Sequence, residues 1–140
     1  MPIMWREALS VDSGVIDGDH RHLIDLINSI EQTVTGNRPV QELKAEFDQL
    51  DLYTRQHFAR EEEIMISLRY AKFDEHKALH LKLIDELVEV AKPVRAAADP
   101  GAATAEAIGA DGVAKVSGLL RHWLIDHIIK EDLKLRAWLA

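Results

Sequence analysis

Four stretches of this chain set apolar residues at alternating steps of three and four, and each stretch carries histidines or carboxylates in phase with its apolar side. Residues three and four apart share one face of a helix. The first stripe runs His20, Leu23, Ile24, Ile27, Ile30 and Val34, and the second Leu43, Phe47, Leu50, Thr54, His57, Glu61 and Ile64. The third runs Phe73, His76, His80, Leu83, Leu87 and Val90, and the fourth Val116, Leu120, Trp123, Leu124, His127 and Ile128. Such spacing predicts amphipathic helices whose buried sides carry ligand-type groups. No alternating strand-like run competes, so the expected fold is all-α, an up-down-up-down four-helix bundle.

Punctuation residues give the boundaries. Residues 1–16 lack a helical period and read as an N-terminal arm, with Asp17 as the expected helix N-cap. Gly36, Asn37, Arg38 and Pro39 end the first helix. The second is expected over Val40 to Ser67, and the third from Phe73 to about Val90, before Pro93. Residues 93–112, rich in Ala, Gly and Asp, read as a long connection with a short helical piece in Ala102–Ile108. The last helix is expected from Val113 to Trp138. At 140 residues, the chain fits one domain.

Composition removes several functions. The net charge of −7 argues against a nucleic-acid partner, which calls for a basic stripe. With no cysteine there are no disulfides, zinc ribbons, thiolate clusters or thiol catalysis. The start, MPIMWREALS, is not a secretory signal, and no stretch approaches the ~20 apolar residues of a membrane span. A cytoplasmic protein without membrane insertion is the default expectation.

His76 and His80 lie one turn apart on a core stripe. Burying two imidazoles without partners costs roughly 1–3 kcal/mol each, and a metal would satisfy both. His57 and Glu61 repeat the arrangement, and a cation would remove the cost of burying the Glu61 carboxylate. Glu62 and Glu63 read as a solvated face. His20 is in phase with Leu23 and Ile27, whereas His22 and His122 point elsewhere and read as surface residues. On the fourth helix regular geometry pairs His127 with Glu131, because Asp132, five residues on, lies about 140° round the wheel. Imidazole with carboxylate favours iron, manganese or zinc over calcium or magnesium.

The order of these motifs resembles the hemerythrins, in particular their single-domain bacterial branch. The motifs are Ile16-Asp17-Gly18-Asp19-His20, His57-Phe58-Ala59-Arg60-Glu61-Glu62, His76-Lys77-Ala78-Leu79-His80, and Trp123-Leu124-Ile125-Asp126-His127-Ile128 ending at Asp132. The similarity covers nearly the whole chain, Trp5 of the arm included. It implies a non-haem di-iron centre with an oxo or hydroxo bridge that binds dioxygen reversibly, for storage, delivery or sensing, and no enzymatic role. One iron would take His76, His80 and His127, the other His20 and His57, with Glu61 and Asp132 bridging and one position open. The resemblance thus selects Asp132 over Glu131 and implies an irregular fourth helix near Ile128–Glu131. It also implies an apolar oxygen pocket of Leu23, Phe58, Trp123, Leu124 and Ile128. Two features depart from the family pattern: Asp12 stands where a Gly is usual, and the connection before the last helix looks longer. The rival functions are a di-iron enzyme acting on peroxide or nitric oxide or repairing iron centres, and an oxygen- or redox-responsive signalling module.

Overall fold

A computed structural model describes residues 2–98 and 118–139, and the regular elements among them are all helical. Helix α1 spans Val15–Thr35, α2 Val40–Leu68 and α3 Phe73–Ala98. The last helix, α4, covers residues 118–138 and changes pitch along its length. It is π-helical over Trp123–Ile129, α-helical over Lys130–Asp132 and 3-10 over Leu133–Trp138. The joints at residues 36–39 and 69–72 are too short for anything but antiparallel neighbours. Asn37 and Arg69 turn the chain there in the left-handed region, with φ of 48° and 54°. Arg121 pairs with Glu31, Asp132 meets His20, and Arg136 donates to the Ser10 carbonyl. Helix α4 therefore runs antiparallel to α1 and completes an up-down-up-down bundle.

The sequence expectation differs from the fold at two places, the start of α1 and the end of α3. Gly14, not Asp17, stands at the N-cap position of α1, and the carboxylate of Asp12 just before it accepts from the backbone N–H groups of Gly14, Ile16 and Asp17. Asp17, already inside the helix, reaches back to accept from Ser10 Oγ and from the N–H groups of Val11 and Ser13. The two acids thus divide the work: one ends the arm, the other ties it down. Helix α3 continues past Val90 through Pro93 to Ala98. The proline removes one backbone bond at a cost of about 3 kcal/mol. The helix survives because Ala91 and Val94, 2% and 0% exposed, keep it on the core, and Arg95 pairs with Asp48. The rest of the expected connection, the piece at Ala102–Ile108 and the expected start at Val113 lie outside the described residues.

The core comes in two parts. The larger contains Leu23, Ile27, Leu50, Phe58, Leu83, Leu124 and Ile128 among others; the smaller contains Val11, Ile16, Met65, Tyr70 and Leu135. On every helix a polar position separates the two: His20 on α1, His57 and Glu61 on α2, His76 and His80 on α3, and Asp132 on α4. A buried polar layer therefore crosses the bundle between two apolar plugs.

Candidate metal centre

That layer consists of four imidazoles and two carboxylates, none more than 5% exposed. Two groups share its carboxylates: His20, His57, Glu61 and Asp132 on one side, and His76, His80, Glu61 and Asp132 on the other. Asp132 Oδ2 lies 2.7 Å from His20 Nε2 and 3.2 Å from His57 Nε2, while Oδ1 lies 3.0 Å from His76 Nε2. Glu61 Oε1 lies 2.6 Å from His76 Nε2 and 3.1 Å from His80 Nε2. Its Oε2 has no hydrogen-bond partner among the described residues, although His57 Nε2 stands 3.2 Å away. Each carboxylate thus spans both pairs of histidines.

Behind this ring stand two further carboxylates. Asp19 Oδ2 accepts from His57 Nδ1 at 2.9 Å and from Arg60 Nε at 2.9 Å; Oδ1 accepts from Arg60 Nη2 and from the Tyr53 hydroxyl, both at 2.8 Å. Glu62 accepts from His80 Nδ1 at 3.0 Å. An ionised carboxylate only accepts, so the Nδ1 atoms of His57 and His80 carry protons. A neutral ring then turns the lone pair of Nε2 toward the oxygens of Glu61 and Asp132. Such lone-pair facing is tolerable only if each ring takes a second proton or a cation sits between the donors. Without metal, His57 and His76 are the rings that hold such a proton more firmly. Burial opposes charge on His76, but hydrogen bonds to Asp132 and Glu61 outweigh it and raise its pKa to about 10. His57 is likewise raised against its burial by Asp132, Asp19 and Glu61. Burial pushes the Asp132 carboxyl up, yet its hydrogen bonds hold it well below the usual carboxylate range. Asp19 is lowered in the same way, by His57, Arg60 and Tyr53. Metal ions substitute directly for these protons, so the donor set fits two cations sharing two carboxylates.

Six of the seven residues expected to bind metal come together: His20, His57, Glu61, His76, His80 and Asp132. Regular helix geometry favoured Glu131, but Glu131 pairs with Lys134 outside and Asp132, 1% exposed, faces the layer. The irregularity of α4 is present as a π-helical stretch, placed at Trp123–Ile129 and so largely before Asp132. For that reason His127 is not brought to the cluster. The five-residue step from His127 to Asp132 crosses only the end of the wide turn, and the two side chains diverge. His127 is 30% exposed, packs edge-on against His122, and has Nδ1 3.8 Å from Glu86, too far for a hydrogen bond. His22 and His122 are exposed, as their phase predicts. Leu23, Phe58, Trp123, Leu124 and Ile128 are all buried in the larger core, at most 3% exposed. Phe58 stacks flat on His80, with ring centroids 3.9 Å apart, and Trp123 Nε1 donates to the Leu83 carbonyl.

Sequence reasoning missed Asp19 and misread Glu62 as a solvated residue. A signal for Asp19 existed: Tyr53, His57 and Arg60 follow one another at steps of four and three, so one side of α2 offers an acid three partners. Glu62 gave none, because its contact with His80 depends on how α3 docks.

The fold and this layer define a class: a helix bundle with a buried layer of histidine and acidic donors suited to metal. The chain belongs to the Hemerythrin HHE cation binding domain family, whose profile matches residues 12–139. It is 32% identical to a bacteriohemerythrin of Methylococcus capsulatus over 134 residues, covering 91% of this chain and 89% of that protein. It is 27% identical to a bacteriohemerythrin of Pseudomonas aeruginosa over 130 residues, covering 93% and 76%. A myohemerythrin of Theromyzon tessulatum is 25% identical over 135 residues, covering 96% and 92%.

Proposed function

We propose that this protein binds dioxygen reversibly at a non-haem di-iron centre held by His20, His57, Glu61, His76, His80 and Asp132, as an oxygen-binding protein rather than an enzyme. The observation that carries the reading is the pair of buried carboxylates, each reaching histidines on both sides of the layer. Two cations held by the histidines and shared by Glu61 and Asp132 would satisfy every donor, and imidazole with carboxylate suits iron. When bound, the irons would supply the electrons for oxygen binding. The protein's own share is to hold six donors, orient them through Asp19 and Glu62, and keep water away.

Water exclusion separates carriage from turnover. Leu23, Phe58, Trp123, Leu124 and Ile128 bring no acid or base to the site, and the Trp123 N–H is committed to Leu83. A dry wall withholds the protons that would drive irreversible oxidation. A surface groove of about 500 Å³, bordered by Glu86, Leu119, Trp123 and His127, lies against the outer side of this wall. No helix among the described residues is long and apolar enough to cross a membrane.

The test is iron counting with visible spectra of the reduced protein before and after air. Two irons per chain and a colour that appears with oxygen and disappears on its removal support the reading. A single iron, or no oxygen-dependent colour, overturns it. His127→Ala addresses the seventh expected ligand. Unchanged iron content means that His127 stays on the outer side of α4. Loss of one iron means that it joins His76 and His80 when metal binds.

A further inference from the structure

We propose that Asp19 is a positioning residue for the His20/His57 metal position and makes it the tighter of the two; the proposal rests on the two-metal reading above. His57 can ligate only through Nε2, which faces Glu61 and Asp132, and only with its proton held on Nδ1. Asp19 holds that proton at 2.9 Å. Asp19 is itself fixed: Arg60 grips both of its oxygens and the Tyr53 hydroxyl adds a further bond at 2.8 Å, with Asp19 5% exposed. Planar two-point pairing with a guanidinium restricts an acid far more than a single contact does. The counterpart on the other side is weaker. Glu62 is 23% exposed, and Lys77 Nζ stands 4.0 Å from it. Both acids orient a ligand imidazole, but Asp19 is buried and accepts from Arg60 and Tyr53 as well as His57, with Arg60 partly exposed, whereas Glu62 is partly exposed and has beside His80, among the described residues, only Lys77 at 4.0 Å.

Outer carboxylates of this kind carry about 10–100-fold in metal affinity. The experiment is a Co(II) titration of the metal-free full chain against a chromophoric chelator. Wild type is compared with Asp19→Asn, Tyr53→Phe, Arg60→Gln and Glu62→Gln. The expected result is two binding steps in wild type, and in Asp19→Asn a 10–100-fold loss confined to the tighter step. Tyr53→Phe and Arg60→Gln weaken the same step by less, which keeps the test alive should Asp19→Asn fold poorly. Glu62→Gln weakens the other step, by under about tenfold. A general folding defect would weaken both steps together, so confinement to one step distinguishes positioning from structure. The shifted exchangeable N–H signal of a Co(II)-bound histidine gives a second readout, since it should change in Asp19→Asn. The proposal is overturned if Asp19→Asn leaves both steps as in wild type or weakens them equally. A wild-type chain that takes up a single Co(II) overturns the two-metal reading instead, and this proposal with it.

Discussion

The side of the centre that holds His20 and His57 differs in kind from the side that holds His76 and His80. On the first side both helices are regular, His20 and His57 are fully buried, and Asp19 is clamped by Arg60 and Tyr53. On the second side α4 changes pitch three times along its length, Glu62 of α2 meets solvent behind His80, and His127 stands apart from its expected companions. Yet Glu61 and Asp132 belong to both. The difference shows how one bundle can hold two similar donor pairs with unequal stiffness: the shared carboxylates fix the spacing, and the acids behind the histidines set how tightly each pair is held.

The largest way to test that contrast is to remove the metal. Chelation should destabilise the protein by about 4 kcal/mol relative to iron at a thousandfold above its dissociation constant. That corresponds to a fall in Tm of about 15 °C, measured by circular dichroism. Hydrogen exchange on the same sample should rise more in α4 than in α1; equal protection would erase the distinction between the two sides.

Glu61→Gln comes next. The side chain keeps its size but loses the charge that both metals would share, so both binding steps should weaken by at least about a hundredfold, in the range of about 3–5 kcal/mol for breaking a buried charged contact. Loss of one step alone would mean that Glu61 does not bridge.

A third test is pH. His76 has its pKa raised to about 10 in the metal-free fold, against an ordinary value of 6.5. Its contribution is fully present below about pH 6.5 and disappears as pH rises through about 10. Asp132 and Asp19, both lowered, contribute above the ordinary carboxylate value of 3.8 and lose that contribution in acid. Metal-free protein should therefore melt highest between about pH 4 and 6.5 and lose stability toward pH 10. Metal-loaded protein should show the opposite trend over neutral pH, because metal displaces the same protons. Parallel trends would mean that protons and metal do not compete for the layer.

The smallest expected effect is Trp123→Phe, which removes the bond to Leu83 at about 1 kcal/mol. Denaturant melts should register that loss, and oxidation of the loaded protein in air should quicken. An unchanged oxidation rate would show that the wall on the α4 side does not control access of water.

The fold was largely legible because its signals are local. The stripes of α1, α2 and α3 and the stop at Gly36 to Pro39 fall where the helices do. Legibility failed where tertiary contacts compete with local rules. Pro93 ends a helix in isolation, but Ala91 and Val94 hold α3 to the core beyond it. Asp12 and Asp17 can each offer a carboxylate to a helix start, and only the fold of the arm decides which does. At the site, the histidines of α1 to α3 follow directly from phase. Asp132 did not, because regular geometry sends it away from the stripe, and the family pattern rather than periodicity singled it out. His127 shows the reverse: its phase and its motif agree, and the position of the π-helical turn sends it elsewhere. Asp19 and Glu62 act across helices, where a single stripe carries no information.

Because the polar layer cuts the core in two, Val11, Ile16, Met65, Tyr70 and Leu135 form a small stopper that shares little apolar contact with the rest. Even with Ile64, Phe73, Leu133 and Leu139 packed against it, this is the thinner of the two plugs. The ions would act as mortar between two courses, and losing them should loosen this end first. The stopper also joins the arm to the last turns of the chain, where Arg136 donates to the Ser10 carbonyl. A protease acting near the arm would then report whether iron is aboard.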